Sequence, residues 1–168
     1  MIFKGVIFDL DLTLVDTTAA EPYRKCRDWA GAYKAIEQCR VYDGIPDVLN
    51  LLRAKGIQTC IVSTAPRTYV ERVIKAFCLP ITHIVGYHDA KPIKPDRAPM
   101  LKALELLGCN PSEAISFGDR AIDIISSNGA GILSVACFWG TKERSLLEGS
   151  QPGYSIFTPN EILRFFGS

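Results

Sequence analysis

Asp9 and Asp11 stand one residue apart at the end of the first hydrophobic run, in the segment Ile7-Phe8-Asp9-Leu10-Asp11-Leu12-Thr13. The residues before them, Val6, Ile7 and Phe8, are β-branched or aromatic and predict a buried strand. Two carboxylates at the C-terminal end of such a strand would face the crevice where open α/β sheets hold their ligands. Negative charges this close are costly unless a cation lies between them or one carries a proton. A divalent metal and an acid–base role would meet both conditions. An acidic turn after a strand accounts for the same residues more plainly, and the segment alone does not choose.

Three further segments carry groups of matching chemistry. Ser63-Thr64-Ala65-Pro66 follows an apolar run and offers hydroxyls beside backbone N–H groups, which suits a phosphate oxygen or an ordinary helix cap. Ala90-Lys91-Pro92-Ile93-Lys94-Pro95-Asp96 holds two lysines in a loop stiffened by proline, so either ammonium could be aimed at an anion or simply solvated. Ile115-Ser116-Phe117-Gly118-Asp119 predicts a strand ending in a glycine and a carboxylate. Asp123 comes four residues later, one helical turn on, so Asp119 and Asp123 can face one point. With Asp9 they would supply the hard oxygen ligands that Mg²⁺ prefers. A helix dipole explains an acid at Asp119, but not why further carboxylates collect at neighbouring strand ends.

The elements that must position these groups alternate along the chain. Strands are predicted over Phe3–Phe8, Ile57–Val62, Ile81–Val85, Ala114–Phe117, Ile132–Ala136 and Ser155–Phe157. Helices are predicted over Glu21–Gln38, Ile45–Lys55, Thr68–Phe77, Pro99–Leu107, Ala121–Asn128, Lys142–Leu147 and Glu161–Phe166. The Ile45–Lys55 helix is the clearest, with Ile45, Val48, Leu49 and Leu52 on one face and Gly56 as its stop. Alternation of this kind predicts a doubly wound, Rossmann-like α/β fold with a parallel sheet and helices on both faces. All four chemical segments then fall at or just after the C-terminal ends of strands.

Length and composition set the outer limits. The chain has 168 residues, 48% of them hydrophobic, which suits a single domain spanning 1–168 with a substantial core. Nineteen basic against eighteen acidic residues gives a net charge of +1, so no basic field points to nucleic acid or an anionic membrane. No apolar run approaches the roughly 20 residues of a membrane span, and the N-terminus shows no signal-peptide pattern. A soluble, cytoplasmic protein is expected. None of the six cysteines forms a C-x-x-C pair, so buried free thiols are expected rather than disulfides or zinc ligands.

Taken together, these segments resemble the haloacid dehalogenase-like hydrolase superfamily, in the branch that includes phosphoglycolate phosphatase. The resemblance rests on Asp9-Leu10-Asp11-Leu12-Thr13, Ser63, Lys94 and Gly118-Asp119-Arg120-Ala121-Ile122-Asp123. It extends through Tyr42-Asp43-Gly44-Ile45, Ala130-Gly131-Ile132 and Trp139-Gly140, and so covers nearly the whole chain. It implies a Mg²⁺-dependent phosphatase that hydrolyses a phosphate monoester through an aspartyl-phosphate. By the same resemblance Asp9 is the nucleophile and Asp11 the general acid and base. It implies further that Ser63, with Thr64 beside it, would hold the phosphoryl oxygens, that Lys94 rather than Lys91 would offset their charge, and that Mg²⁺ would be bound by Asp9, the Asp11 backbone carbonyl, Asp119 and Asp123.

Two departures bear on these expectations. Leu12 stands where the branch usually has glycine, so the loop after Asp11 must take a shape that a bulky residue tolerates. Residues 17–42 leave room for one or two short helices, less than the helical cap often inserted there, which predicts a more open site. The substrate is then a phosphorylated small molecule or something larger, and a second copy of the chain could complete the site as a homo-oligomer. Within the insert, Arg24, Lys25, Arg27, Trp29 and Tyr33 could grip an anionic leaving group, or the two aromatics could pack on the body of the domain. The competing functions are a dehalogenase, against which Asp11 and the Asp119/Asp123 pair argue, and a catalytically idle binding domain on the same fold.

Overall fold

Among the described residues, the alternating pattern folds as eight strands and seven helices. The strands are β1 (Gly5–Phe8), β2 (Val15–Asp16), β3 (Arg40–Val41), β4 (Gln58–Val62), β5 (His83–Val85), β6 (Ala114–Gly118), β7 (Leu133–Cys137) and β8 (Tyr154–Ile156). The helices are α1 (Glu21–Lys25), α2 (Trp29–Ala35), α3 (Ile45–Ala54), α4 (Arg67–Ala76), α5 (Ala98–Leu107), α6 (Ala121–Gly129) and α7 (Arg144–Gly149). The computed structural model describes residues 3–167. Met1, Ile2 and Ser168, the outermost positions of the single domain expected over 1–168, lie outside the described residues.

Six strands form one parallel sheet in the order β5-β4-β1-β6-β7-β8, so the fold is the predicted α/β type. Side chains alternate across it, as the period of two requires. Val6, Phe8, Ile61, Ile115, Phe117, Val135 and Cys137 face a core shared with α3 and α4. Ile7, Cys60, Val62 and Ala114 face the opposite layer, built by Met100, Ala103, Leu104 and Leu107 of α5. The chain leaves β1 for β4 on one side and later crosses to β6 on the other. That reversal is a topological switch point, and it opens a crevice beyond the tip of β1. The register places Phe8 beside Ile61 and Phe117, so three strands end at one level there.

The structure differs from the sequence reading where short-range contacts override periodicity. The helix predicted over Glu21–Gln38 is broken into α1, α2 and a final 3-10 turn, Ile36–Gln38. Arg27 takes φ +58°, and the Asp28 carboxylate accepts the Gly31 N–H at 2.9 Å, capping α2 afresh. Two-residue strands β2 and β3 pair antiparallel and close the base of the insert. The closing helix predicted over Glu161–Phe166 is a 3-10 segment, Pro159–Phe165, started by a Thr158–Glu161 capping box. All six cysteines are free, but only Cys39, Cys60 and Cys137 are buried. Cys26 and Cys78 follow the last turns of α1 and α4 and are exposed, which corrects the expectation of burial for both. Among the described residues, no helix is long and apolar enough to cross a membrane.

Phe8 carries the packing on which the crevice rests. It is fully buried, and its ring stacks on Phe117 with centroids 5.3 Å apart. Phe8→Ala should cost about 3–5 kcal/mol, measured by urea unfolding, because a cavity would open between two rigid strands.

Candidate active site

Lys94 lies at the centre of the crevice with its ammonium buried. It donates to Asp9 Oδ1 at 2.7 Å, to Asp123 Oδ1 at 2.5 Å and to the carbonyl of Val62 at 2.8 Å. An ammonium has three protons, so its donors are fully used. Burial alone would lower its pKa, but the Asp123 and Asp9 carboxylates outweigh that and hold it above the ordinary lysine value. Lys91, the alternative lysine of the same loop, sits over the Tyr87 ring at 3.6 Å.

Three elements bring the carboxylates to this ammonium. Asp9 leaves the tip of β1 and is tied back by its N–H to the Phe117 carbonyl at 2.9 Å. Asp119 follows β6 and accepts the Thr13 hydroxyl at 3.0 Å. Asp123 lies in the first turn of α6, and its second oxygen accepts the Arg120 N–H at 3.0 Å. This approach requires glycine at position 118, where a Cβ would fall 2.3 Å from Asp123 Cβ. One oxygen from each of Asp9, Asp119 and Asp123 lies within 4.8 Å of the others. Burial is the main cause that pushes Asp119 and Asp123 above the carboxylate range. Neighbouring carboxylates add to it, while Lys94 pulls both down. Three carboxylates against one ammonium leave two negative charges when all are ionised. That hard-oxygen donor set and that residual charge fit Mg²⁺.

Asp11 occupies a different environment only two residues from Asp9. Its carboxylate is not among those three. Oδ1 accepts Thr17 Oγ1 at 2.7 Å and Tyr69 OH at 2.9 Å, and Oδ2 pairs with Arg24 Nη2 at 2.8 Å. Burial pushes its pKa up, and Arg24 opposes that shift without cancelling it. Leu12 then adopts φ +64°, the left-handed conformation that favours glycine. Its loop is buttressed from behind. Trp139 Nε1 donates to the Thr13 carbonyl at 3.0 Å, and the Leu12 carbonyl packs so closely on Gly140 that a Cβ there would meet it at 2.1 Å.

These groups line a cavity of about 680 Å³ that includes Asp9, Asp11, Thr64, Lys94, Asp119 and Asp123. Arg24 and Trp29 of the insert form part of its wall. Ser63 does not line it; its hydroxyl accepts the Ala65 N–H at 3.1 Å. The insert aromatics pack on α4. Trp29 tilts against Tyr69 at 5.9 Å, and Tyr33 meets Thr68 at 3.0 Å and lies under Arg72. The sequence reading did not anticipate Tyr69, Thr17 or the Arg24–Asp11 pair. The hydroxyl spacing Thr13–Thr17 after Asp11 is a local signal for Thr17, and Arg24 stood out only as a basic residue of the insert that could grip an anion.

The family pattern described as haloacid dehalogenase-like hydrolase matches residues 21–137, which take in Ser63, Lys94, Asp119 and Asp123 but begin after Asp9 and Asp11. A protein of Caldanaerobacter subterraneus with the provisional name pyrophosphatase PpaX is 36% identical over 127 residues, covering 74% of this chain and 58% of its own. Pyrophosphatase PpaX of Bacillus velezensis is 30% identical over 165 residues, covering 92% of this chain and 75% of its own. The chain thus spans little more than half the length of the first relative. A structure described as a predicted phosphoglycolate phosphatase from Haemophilus somnus superposes with a TM-score of 0.84 at 19% identity, covering 98% of each chain. A haloacid dehalogenase-like family hydrolase from Streptococcus pneumoniae superposes with 0.80 at 21%, covering 98% and 99%.

Two outcomes are expected of the carboxylate cluster. Asp119 and Asp123 hold protons more tightly folded than unfolded. Their contribution to stability is therefore present at acidic pH and lost as pH rises through their raised folded values. A cation that displaces those protons should raise the melting temperature more at pH 8 than at pH 5.5; calorimetry with and without Mg²⁺ reads the difference. Gly118→Ala should push Asp123 off its place and weaken Mg²⁺ binding at least about tenfold by titration calorimetry, the scale of a disturbed metal shell.

Proposed function

The chain belongs to the haloacid dehalogenase-like hydrolases, and on that premise we propose that it is a Mg²⁺-dependent phosphatase acting through an aspartyl-phosphate on Asp9. The observation that carries this reading is the separation of two neighbouring carboxylates into different environments. Asp9 is held by Lys94 beside two further acids, whereas Asp11 is buried among hydroxyl donors and Arg24. Such a division suits one carboxylate for attack and the other for proton transfer.

In this reading an Asp9 oxygen attacks phosphorus while the bond to the leaving oxygen breaks, and Asp11 gives its proton to that oxygen. Water then attacks the same phosphorus, its proton passes to Asp11, and Asp9 is released as a carboxylate beside phosphate. The raised pKa of Asp11 favours the proton it needs at the first step. Lys94 keeps Asp9 in place and offsets phosphoryl charge. Thr64 lies on the cavity wall, and Ser63 would contribute to phosphoryl binding by turning its hydroxyl from Ala65. Asp9, Asp119 and Asp123, with the Asp11 carbonyl, would hold Mg²⁺, which when bound neutralises phosphoryl oxygens. The relatives named as pyrophosphatases support phosphoanhydrides beside monoesters as substrates.

Phosphate release measured with Mg²⁺ and with excess chelator tests this directly. Activity should require the metal and should fall by at least about a thousandfold in Asp9→Asn, whose amide is nearly isosteric but cannot attack. Phosphate release by Asp9→Asn at more than a few per cent of the wild-type rate would remove Asp9 as nucleophile, and no release from any phosphate ester or anhydride would leave the idle binding domain.

A further inference from the structure

Among the described residues, Tyr69 is the largest side chain that is fully buried. A buried phenol needs a partner for its hydroxyl, and here the partner is a carboxylate that lines the cavity. The hydroxyl donates to Asp11 Oδ1 at 2.9 Å, the oxygen that also accepts Thr17 Oγ1 at 2.7 Å. Tyr69 lies in the first turn of α4, and its N–H is tied to the Pro66 carbonyl at 3.0 Å. Trp29 tilts against its ring at 5.9 Å, and the Arg24 guanidinium carbon lies 5.2 Å from the ring centre. Packing of this kind holds the ring and leaves only rotation about the C–O bond. Burial and the neighbouring Asp11 charge push the phenol's pKa far above its ordinary value, so it stays protonated and donates.

We infer that Tyr69 is a positioning residue for proton transfer: by holding Oδ1 of Asp11 it assigns Oδ2 as the oxygen that carries the proton. The inference rests on the phosphatase reading above and deepens it. A carboxylate oxygen has about two lone-pair sites, and Thr17 and Tyr69 fill both on Oδ1. Among the described residues, Oδ2 meets only Arg24 Nη2, at 2.8 Å, so its other site is open to a proton. In the first step the bond from phosphorus to the leaving oxygen breaks as Asp9 forms its own, and Oδ2 gives its proton to that oxygen. In the second, water bonds to phosphorus, the bond to Asp9 breaks, and the water's proton returns to Oδ2. Oδ1 keeps both hydrogen bonds throughout. Without the phenol the carboxyl group could turn about its Cβ–Cγ bond and carry the proton away from the leaving oxygen. A displacement of that size is enough to slow the transfer.

Tyr69→Phe deletes the hydroxyl and keeps the ring under Trp29 and Arg24. Its effect is read as kcat/KM, which reports the steps through departure of the leaving group, for two esters. An alkyl phosphate needs its leaving oxygen protonated, whereas 4-nitrophenyl phosphate releases a stable phenolate and needs little help. For the alkyl phosphate that the wild type hydrolyses fastest, Tyr69→Phe should lower kcat/KM by about tenfold to a hundredfold, and for 4-nitrophenyl phosphate by less than about threefold. A merely structural role would lower both alike. With 4-aminophenylalanine in place of Tyr69, an N–H donor returns to the same ring and most of the alkyl loss should be recovered. With 4-fluorophenylalanine, which fills the space of the hydroxyl but cannot donate, the selective loss should persist; this variant decides if Tyr69→Phe fails to fold. Equal losses for the two esters, or no loss for either, would overturn the inference. A wild type that turns over 4-nitrophenyl phosphate but no alkyl phosphate would also overturn it, because no proton would then need placing. A wild type inactive on both would overturn the phosphatase reading and the inference with it, an outcome distinct from equal losses in active enzymes.

Discussion

A single buried ammonium ties the site together. Lys94 spends its three protons on the tip of β1 through Asp9, on the end of β4 through the Val62 carbonyl and on the start of α6 through Asp123. Breaking one arm would strand a buried charge, which is far more costly than losing a surface ion pair. The neighbouring features follow from that knot. Position 118 must be glycine so that α6 can come close enough, and the strands must end at one level so that their acceptors converge. The knot also leaves negative charge in excess, which a divalent cation among Asp9, Asp119 and Asp123 would balance.

Asp11 sits outside the knot, and this division gives the pocket two chemical ends. One end is rich in carboxylates around Lys94, and the other is a buried carboxyl surrounded by Thr17, Tyr69 and Arg24. The short insert builds the second end. Its two helices have only five and seven residues, yet α1 delivers Arg24 onto Asp11 and α2 lays Trp29 and Tyr33 against α4. An insert anchored in this way is part of the cavity wall. The openness expected from its length is correspondingly reduced on the side of Asp11.

Much of this was legible in the sequence, for physical reasons. Long periodic segments such as Ile45–Ala54 and strands of β-branched residues such as Gln58–Val62 declare themselves, because their burial pattern is regular. Carboxylates at strand ends are also conspicuous, and Asp9, Lys94, Asp119 and Asp123 meet where a doubly wound sheet would bring them. The break after α1 was hidden because one left-handed residue, Arg27, and one local cap, Asp28, decide it against a helical background. The pairing of β2 with β3 involves two residues each, too few to show a period. Arg24 on Asp11 and Tyr69 beneath both depend on how the insert folds back over α4, which no spacing rule encodes. Leu12 was visible as an anomaly, and its resolution lies in distant residues, Trp139 and Gly140, that brace the loop.

The central claim is that Asp9 forms a bond to phosphorus, and the stereochemical course at that atom tests it most directly. Hydrolysis of a phosphate monoester made chiral with oxygen isotopes, followed by analysis of the released phosphate, counts the in-line displacements. Two displacements, first by Asp9 and then by water, give overall retention of configuration. Inversion would mean that water attacks the substrate directly, and it would contradict the account.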